Sequence, residues 1–239
     1  MAAQLRGDAR RGARALGASV EQRERQRRIE RARLSKLFRR RNRLLRDGSE
    51  FVAGVDEVGV GQLAGPIVAA AVIFPRRVDY DSLHGLDDSK RLTRRARERL
   101  AQEIRANALA FHIAEISAEQ VDLLNTYHAA LAAMREAVTG LSVAPDHVLV
   151  DARTIPELEA PQSGLIHGDA IDASIAAASV VAKVYRDALM RRLHTRYPGY
   201  GFDRHVGYGT PEHLAALHRL GPSPVHRRSF APVSRAIAR

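Results

Sequence analysis

Two carboxylates stand side by side where an apolar run ends and a glycine loop begins. Val52, Ala53, Gly54 and Val55 lead into Asp56 and Glu57, and Gly59, Val60, Gly61 and Gly65 follow. A strand that carries acids out of a core can offer hard oxygen ligands to a divalent ion. The glycine loop beside it leaves bare backbone that a phosphate or sugar can approach. Two more acids share this placement: Asp151 closes the apolar run Val148, Leu149, Val150, and Asp169 follows Gly168 ahead of a long helical pattern. In open α/β sheets ligands gather outside the carboxyl ends of strands, so three segments can deliver four carboxylates to one place. Acids packed together repel, and their pKa values rise unless cations neutralise them. Two divalent ions would supply that charge, activate a water and stabilise the leaving oxygen of a phosphodiester. All-oxygen ligation favours Mg²⁺ or Mn²⁺ over zinc. Taken singly each acid has a simpler reading: Asp169 as a helix N-cap, Asp151 as a turn residue, the Asp56–Glu57 pair as solvent-facing surface. The strand-end placement common to them favours the metal site.

The chain has three lysines, Lys36, Lys90 and Lys183, among 38 basic residues. Lys90 stands in Asp88-Ser89-Lys90 just before a helical pattern, and Lys183 lies four residues after Ser179, on the same helix face. Where arginine is otherwise preferred, a retained lysine suits a compact point charge for phosphate; chance retention is the competing reading.

The elements that must position these groups alternate. Residues 51–57 and 67–74 read as strands, with residues 59–66 too rich in glycine for a strand interior. Residues 93–107 read as an amphipathic helix with Thr93 as N-cap, and residues 109–116 as a third strand. Residues 118–141 are helical with a break near Asn125. Residues 147–151 and 164–167 read as strands, and a helix runs from Gly168-Asp169 to about Arg196. Short helices near 211–220 and 232–238 finish the chain. Upstream, residues 1–18 are expected to be disordered. Residues 20–46 should form a charged helix whose last turns dock through Leu34, Leu37, Phe38, Leu44 and Leu45.

Composition bounds the rest. With 239 residues the chain can bury a full core. It has no cysteine, which excludes disulfides, thiol catalysis and cysteine-ligated zinc and fits a reducing, cytoplasmic location. No apolar run reaches about 18 residues, so no membrane span is expected. The net charge of +11 is uneven: residues 1–50 carry 16 basic and 6 acidic side chains, leaving 22 and 21 for the remainder. An arginine-rich arm suits a polyanion, since each neutralised phosphate releases counterions; a merely solvated basic tail is the alternative. Its arginine-rich start also has the look of an organellar transit peptide, but it is poor in serine, so the arm is the preferred reading.

From about Phe51 to Val233 the chain resembles bacterial ribonuclease HII. The resemblance rests on Gly54-Val55-Asp56-Glu57-Val58-Gly59, Leu63-Ala64-Gly65-Pro66, Asp88-Ser89-Lys90, Leu124-Asn125, Val148-Leu149-Val150-Asp151, Gly168-Asp169, Ser179 to Lys183, Tyr200-Gly201-Phe202, His205-Val206-Gly207-Tyr208 and His226-Arg227-Arg228-Ser229-Phe230. It implies an α/β, ribonuclease-H-like mixed sheet flanked by helices, with a C-terminal helical part and a basic helical N-terminal extension. The expected division is an extension at 1–48 and a catalytic domain at 49–239. It further implies metal-dependent endonucleolytic hydrolysis of RNA in RNA–DNA hybrids and at ribonucleotides embedded in duplex DNA, leaving 3′-hydroxyl and 5′-phosphate ends, by a monomer using two Mn²⁺ or Mg²⁺ ions. By position, Asp56, Glu57, Asp151 and Asp169 are the implied catalytic metal ligands. Gly59, Val60, Gly61, Lys90, Asn125, Ser179, Lys183 and Tyr208 are implied on the nucleic-acid side, Tyr208 stacking on sugar at the ribose–deoxyribose junction. The chain departs from the family where Val60 replaces an arginine, Val206 a lysine, Gln62 a proline and Ala152 a glycine. The uncharged Val60 leaves one alternative, a relative preferring long hybrids over single ribonucleotides; a non-catalytic nucleic-acid-binding protein of the same fold is the other, and the four intact acids argue against it, since without metal such a cluster opposes polyanion binding.

Overall fold

A computed structural model describes residues 11–238. Among these, five strands form one mixed sheet in the order β3-β2-β1-β4-β5. They are β1 (Val52–Val58), β2 (Ile67–Ile73), β3 (Ala110–Ile116), β4 (His147–Asp151) and β5 (Gln162–Leu165). β1 and β2 pair antiparallel, as do β2 and β3, whereas β1–β4 and β4–β5 are parallel. The helices are α1 (Arg11–Leu37), α2 (Arg39–Arg46), α3 (Arg94–Asn107), α4 (Ala118–Thr139), α5 (Gly168–Ile171), α6 (Ala173–Arg196), α7 (Phe202–His205), α8 (Pro211–Leu220) and α9 (Ala231–Ile237). None of the described helices is long and apolar enough to cross a membrane.

The strand period of two splits β2 between two cores. Ile67, Ala69, Ala71 and Ile73 face α4 through Ala129, Ala130, Ala133 and Met134. Val68, Ala70 and Val72 face α6 and α3 through Ala177, Val180, Val181, Leu100 and Ile104. Every β2 residue is buried, as a strand covered on both faces requires. Small residues let α6 lie close to the sheet. At Gly54 a Cβ would come 2.2 Å from the Ser174 carbonyl carbon, so the start of α6 rests directly on β1.

Several local expectations hold. Thr93 caps α3 by accepting from the Ala96 N–H, and α4 carries in addition a capping box of Ser117 and Gln120 that was not singled out from sequence. The break in α4 falls on Asn125 (φ 63°, ψ 165°), whose Oδ1 accepts from the N–H groups of Tyr127 (3.0 Å) and His128 (3.1 Å). Asparagine tolerates that backbone and recaps the helix after it.

Two expectations are corrected. The long helix does not start at Gly168-Asp169: these belong to the single turn α5, and Asp172, in extended conformation, caps α6 through the Ser174 and Ile175 N–H groups. The N-terminal disorder expected through residue 18 does not extend over 11–18, which are helical, while 1–10 lie outside the described residues. Arginine and alanine favour helix where no packing decides. The end of this arm is bound to the body. Phe38 is fully buried, stacks on Tyr80 and meets Phe74 edge-on, both at 5.4 Å. Arg41, also buried, donates to the Phe74 (2.8 Å) and Pro75 carbonyls.

Candidate active site

Parallel pairing of β1 and β4 sets Val55 opposite Val150, so Asp56 and Asp151 leave the sheet at the same edge on neighbouring strands. β5 returns the chain beside β4, and α5 then places Asp169 against them. The join is a hydrogen bond of 2.7 Å from the Gly168 N–H to Asp151 Oδ1. Asp56 and Asp169 are buried, at 5% and 6% exposure.

Burial first, then the neighbouring Glu57 charge, push the Asp56 carboxyl well above the usual carboxylate range; Asp151 adds to this, and a Ser179 hydrogen bond opposes it. Glu57 is raised by burial, moderated by Arg153, with Asp151 pushing it up. Asp151 is raised by burial against the Gly168 N–H, with Asp169 adding repulsion. The acids therefore feel one another across three segments. Among the described residues, however, no three His, Cys, Asp or Glu side chains are gathered closely enough to hold a metal ion. The two observations concern different things. The backbones converge, while the carboxylate oxygens turn to separate donors: Asp56 Oδ1 to the Glu57 N–H (2.8 Å), Asp151 Oδ1 to Gly168, and Asp169 Oδ2 to the Lys90 ammonium (3.2 Å). The expected four-carboxylate cluster is thus present in backbone placement and electrostatic coupling but not in shared side-chain geometry. The donor set suits a hard divalent cation: carboxylate oxygens alone, partly desolvated and mutually repelling.

The remaining residues divide. Lys90 reaches the acids; burial alone would lower its ammonium, but the Asp169 hydrogen bond and charge carry it above the usual lysine value. Ser179 Oγ shares a 2.9 Å hydrogen bond with Ser89 Oγ, buried behind Asp56. Lys183 turns instead to Asp187 at 2.8 Å on its own helix, so of the two lysines it is Lys90 that stands against the acids. Asn125 Oδ1 is taken by its own helix. Gly59 (φ 97°) has room for no side chain, since a Cβ would meet Arg186 Nε at 2.4 Å, whereas Gly61 faces open space. Val60 packs its side chain on the core. Tyr208 is half exposed; its carbonyl accepts from His213 Nδ1 at 2.8 Å, and the Leu63 N–H donates to the adjacent Gly207 carbonyl at 2.9 Å. The tyrosine loop and the glycine loop are therefore tied together.

The family model described as ribonuclease HII matches residues 53–233. The ribonuclease HII of Myxococcus xanthus is 50% identical over 234 residues, covering 98% of this chain and 79% of the relative. The chain belongs to the ribonuclease HII family. It is accordingly an endonuclease of the ribonuclease H type, the family acting on RNA–DNA hybrids. Solved structures agree on the fold. The ribonuclease H2 of Pyrococcus horikoshii superposes with a TM-score of 0.63 at 24% identity, covering 78% of this chain and 96% of that one. Bst ribonuclease HIII, solved in complex with Mn²⁺, gives 0.56 at 20% identity, covering 80% and 70%.

Three arginines shape this ribonuclease HII site without having been singled out for a role from sequence. Arg227 is fully buried and donates to the Val60 (2.7 Å), Gly59 (2.5 Å) and Gly65 (2.9 Å) carbonyls. Arg186, equally buried, donates to the Pro66 (2.9 Å), Ala64 (3.1 Å) and Val206 (2.9 Å) carbonyls. Between them they hold five carbonyls of residues 59–66, a loop whose strand pairing is a single antiparallel bridge from Ala64 to His226. Arg153, two residues past Asp151, bears on Glu57 and lies over the Tyr127 ring at 5.2 Å. Arg227 stood in a recognisable motif and Arg153 beside a candidate acid, but nothing in the pattern around Arg186 marked it.

Proposed function

We propose that Asp56, Glu57, Asp151 and Asp169 hold two divalent ions, Mn²⁺ or Mg²⁺, and that the chain hydrolyses the RNA strand of hybrids and ribonucleotides embedded in duplex DNA, leaving 3′-hydroxyl and 5′-phosphate ends. The observation that carries this reading is the register of β1 and β4, which sets Asp56 and Asp151 at one sheet edge with raised carboxyl pKa values. Burying acids against one another is costly unless a cation takes their place in the charge balance. Once bound, such ions activate water and stabilise the departing oxygen. Mn²⁺ is held by a protein of the same fold.

The chain's own residues do the rest. Lys90 neutralises Asp169 before metal arrives and is free to turn to a phosphate afterwards. The clamped glycine loop presents backbone beside the acids, with Gly61 leaving open space for a sugar. Tyr208, exposed on the loop joined to it, offers a ring to the deoxyribose side of the junction. A 2′-hydroxyl is the feature by which such a site separates RNA from DNA.

The test is cleavage, with Mn²⁺ or Mg²⁺, of a duplex holding one ribonucleotide beside a long hybrid. Asp56→Asn should abolish cleavage of both through the loss of a metal-ligating charge, while preserving binding. A protein that only binds nucleic acid would keep its behaviour or bind more tightly. The uncharged, core-packed Val60 supports a second reading in which long hybrids are preferred; the ratio of the two rates decides it.

A further inference from the structure

Over residues 34–45 the exposed positive charge of the N-terminal helices lies on one side. Leu34, Phe38, Arg41 and Leu45 are buried and spaced by four, three and four residues, one stripe of a helix. Helical hydrogen bonding passes through the junction of α1 and α2, from the Phe38 N–H to the Leu34 carbonyl (2.9 Å) and from the Asn42 N–H to the Phe38 carbonyl (2.8 Å). Lys36, Arg39, Arg40 and Arg43 therefore share the exposed side away from that stripe. With Arg33 and Arg91 they line a groove of about 890 Å³ that also includes Leu37, Ala170 and Ile171. Asp87 is the acid in its lining, and Arg91 lies 3.7 Å from it. Among the described residues no ion pair within 4 Å joins Lys36, Arg39 or Arg40 to an acid, although Arg40 bears on the buried Asp172 and Arg43 lies 3.5 Å from Asp47.

The groove opens beside the candidate site. Ala170 and Ile171 follow Asp169 directly, and Arg91 follows Lys90, whose ammonium is 3.2 Å from Asp169. We propose that this groove binds the sugar–phosphate backbone of the substrate duplex away from the reacting bond, making the N-terminal helices a second contact track. This deepens the ribonuclease reading above and rests on it. Physical need and geometry agree. A cluster of acids repels a polyanion, and Val60 and Val206 bring no charge to the loops beside it. The row from residue 36 to 43 rises about 10.5 Å at 1.5 Å per residue. One DNA strand carries a phosphate per about 3.4 Å of axis, so the row faces about three phosphates. A single small anion would not need a row of that length.

The test compares full-length proteins binding hybrid without divalent ions, at several salt concentrations. Arg39→Gln/Arg40→Gln/Arg43→Gln should reduce the steepness of log K against log[salt] by about 2.7, that is 0.9 for each of three contacts. Between 50 and 200 mM salt the wild type should then lose about 40-fold more affinity than the variant. Lys36→Gln/Arg91→Gln, which leaves α2 intact, should reduce the slope by about 1.8. Arg76→Gln/Arg77→Gln/Arg105→Gln removes the same charge outside the groove and should change the slope by less than about 1. An unchanged slope in both groove variants, or an equal change in the control, overturns the groove. If the wild type cleaves and binds while the groove variants match it, the groove alone is refuted; if the wild type binds no hybrid, both readings fall.

Discussion

Asp172 caps α6 at an electrostatic cost that a pH series can expose. Its side chain is fully buried; Oδ1 accepts from the Ser174 (2.8 Å) and Ile175 (3.4 Å) N–H groups, while Oδ2 has no partner. Burial pushes the carboxyl from 3.8 up to about 6, against the pull of those N–H groups and of Arg40 and Arg41. Because the folded pKa lies above the unfolded one, the folded state holds a proton between pH 4 and 6 that the unfolded chain has released. Stability from this group is therefore full below about pH 4 and declines as pH rises through about 6. A shift of about two units corresponds to about 3 kcal/mol. Asp172→Asn keeps the capping oxygen and removes the ionisation. The amide placed where Oδ2 stood adds an offset that does not vary with pH. The stability of Asp172→Asn relative to wild type should thus grow by about 3 kcal/mol between pH 4 and pH 7. Urea unfolding followed by far-ultraviolet circular dichroism at each pH measures it, and titrations elsewhere cancel in the difference. A difference that stays flat with pH, or one that shrinks towards neutrality, would refute the reasoning.

Other perturbations probe the loops around the acids. Arg227→Ala strips donors from three buried loop carbonyls; at about 1–3 kcal/mol each, less the relief of an unpaired buried cation, the net loss should be about 3 kcal/mol in denaturant unfolding. Arg227→Lys should not restore it, because one ammonium cannot reproduce the planar fork. Ala152, next to Asp151, sits at φ 55°. Ala152→Gly should relieve about 1–2 kcal/mol of strain, offset by about 0.5–1 of chain entropy, and raise the urea midpoint slightly. A lowered midpoint would show that the Ala152 methyl makes a contact worth more than the strain.

Much of the fold was legible because it depends on local pattern. Apolar runs ending on Asp56 and Asp151 marked two strands; Thr93 marked a helix start; Asn125 marked a break, since few residues take its backbone conformation. Harder to read was the start of α6. Asp169 and Asp172 are both capable caps three residues apart, and the choice falls to the close seating of Ser174 on Gly54, a contact between distant segments. Lys183 illustrates the same limit. Its spacing from Ser179 is a helix property, but whether it faces the acids or Asp187 depends on what packs around α6.

By itself the sequence determined which residues could do chemistry, which face of each strand and helix is apolar, and that the charge lies upstream, because those properties belong to residue type and short-range period. Only the tertiary structure decided the rest. It set Asp56 beside Asp151 through a parallel pairing of strands nearly a hundred residues apart, and buried Arg186 and Arg227 to hold carbonyls of the glycine loop. It also laid the end of the arginine-rich helices beside Ala170 and Ile171, the residues that follow Asp169. Such outcomes depend on which surfaces meet, and a guanidinium reads identically in sequence whether it faces water, a carbonyl or a phosphate.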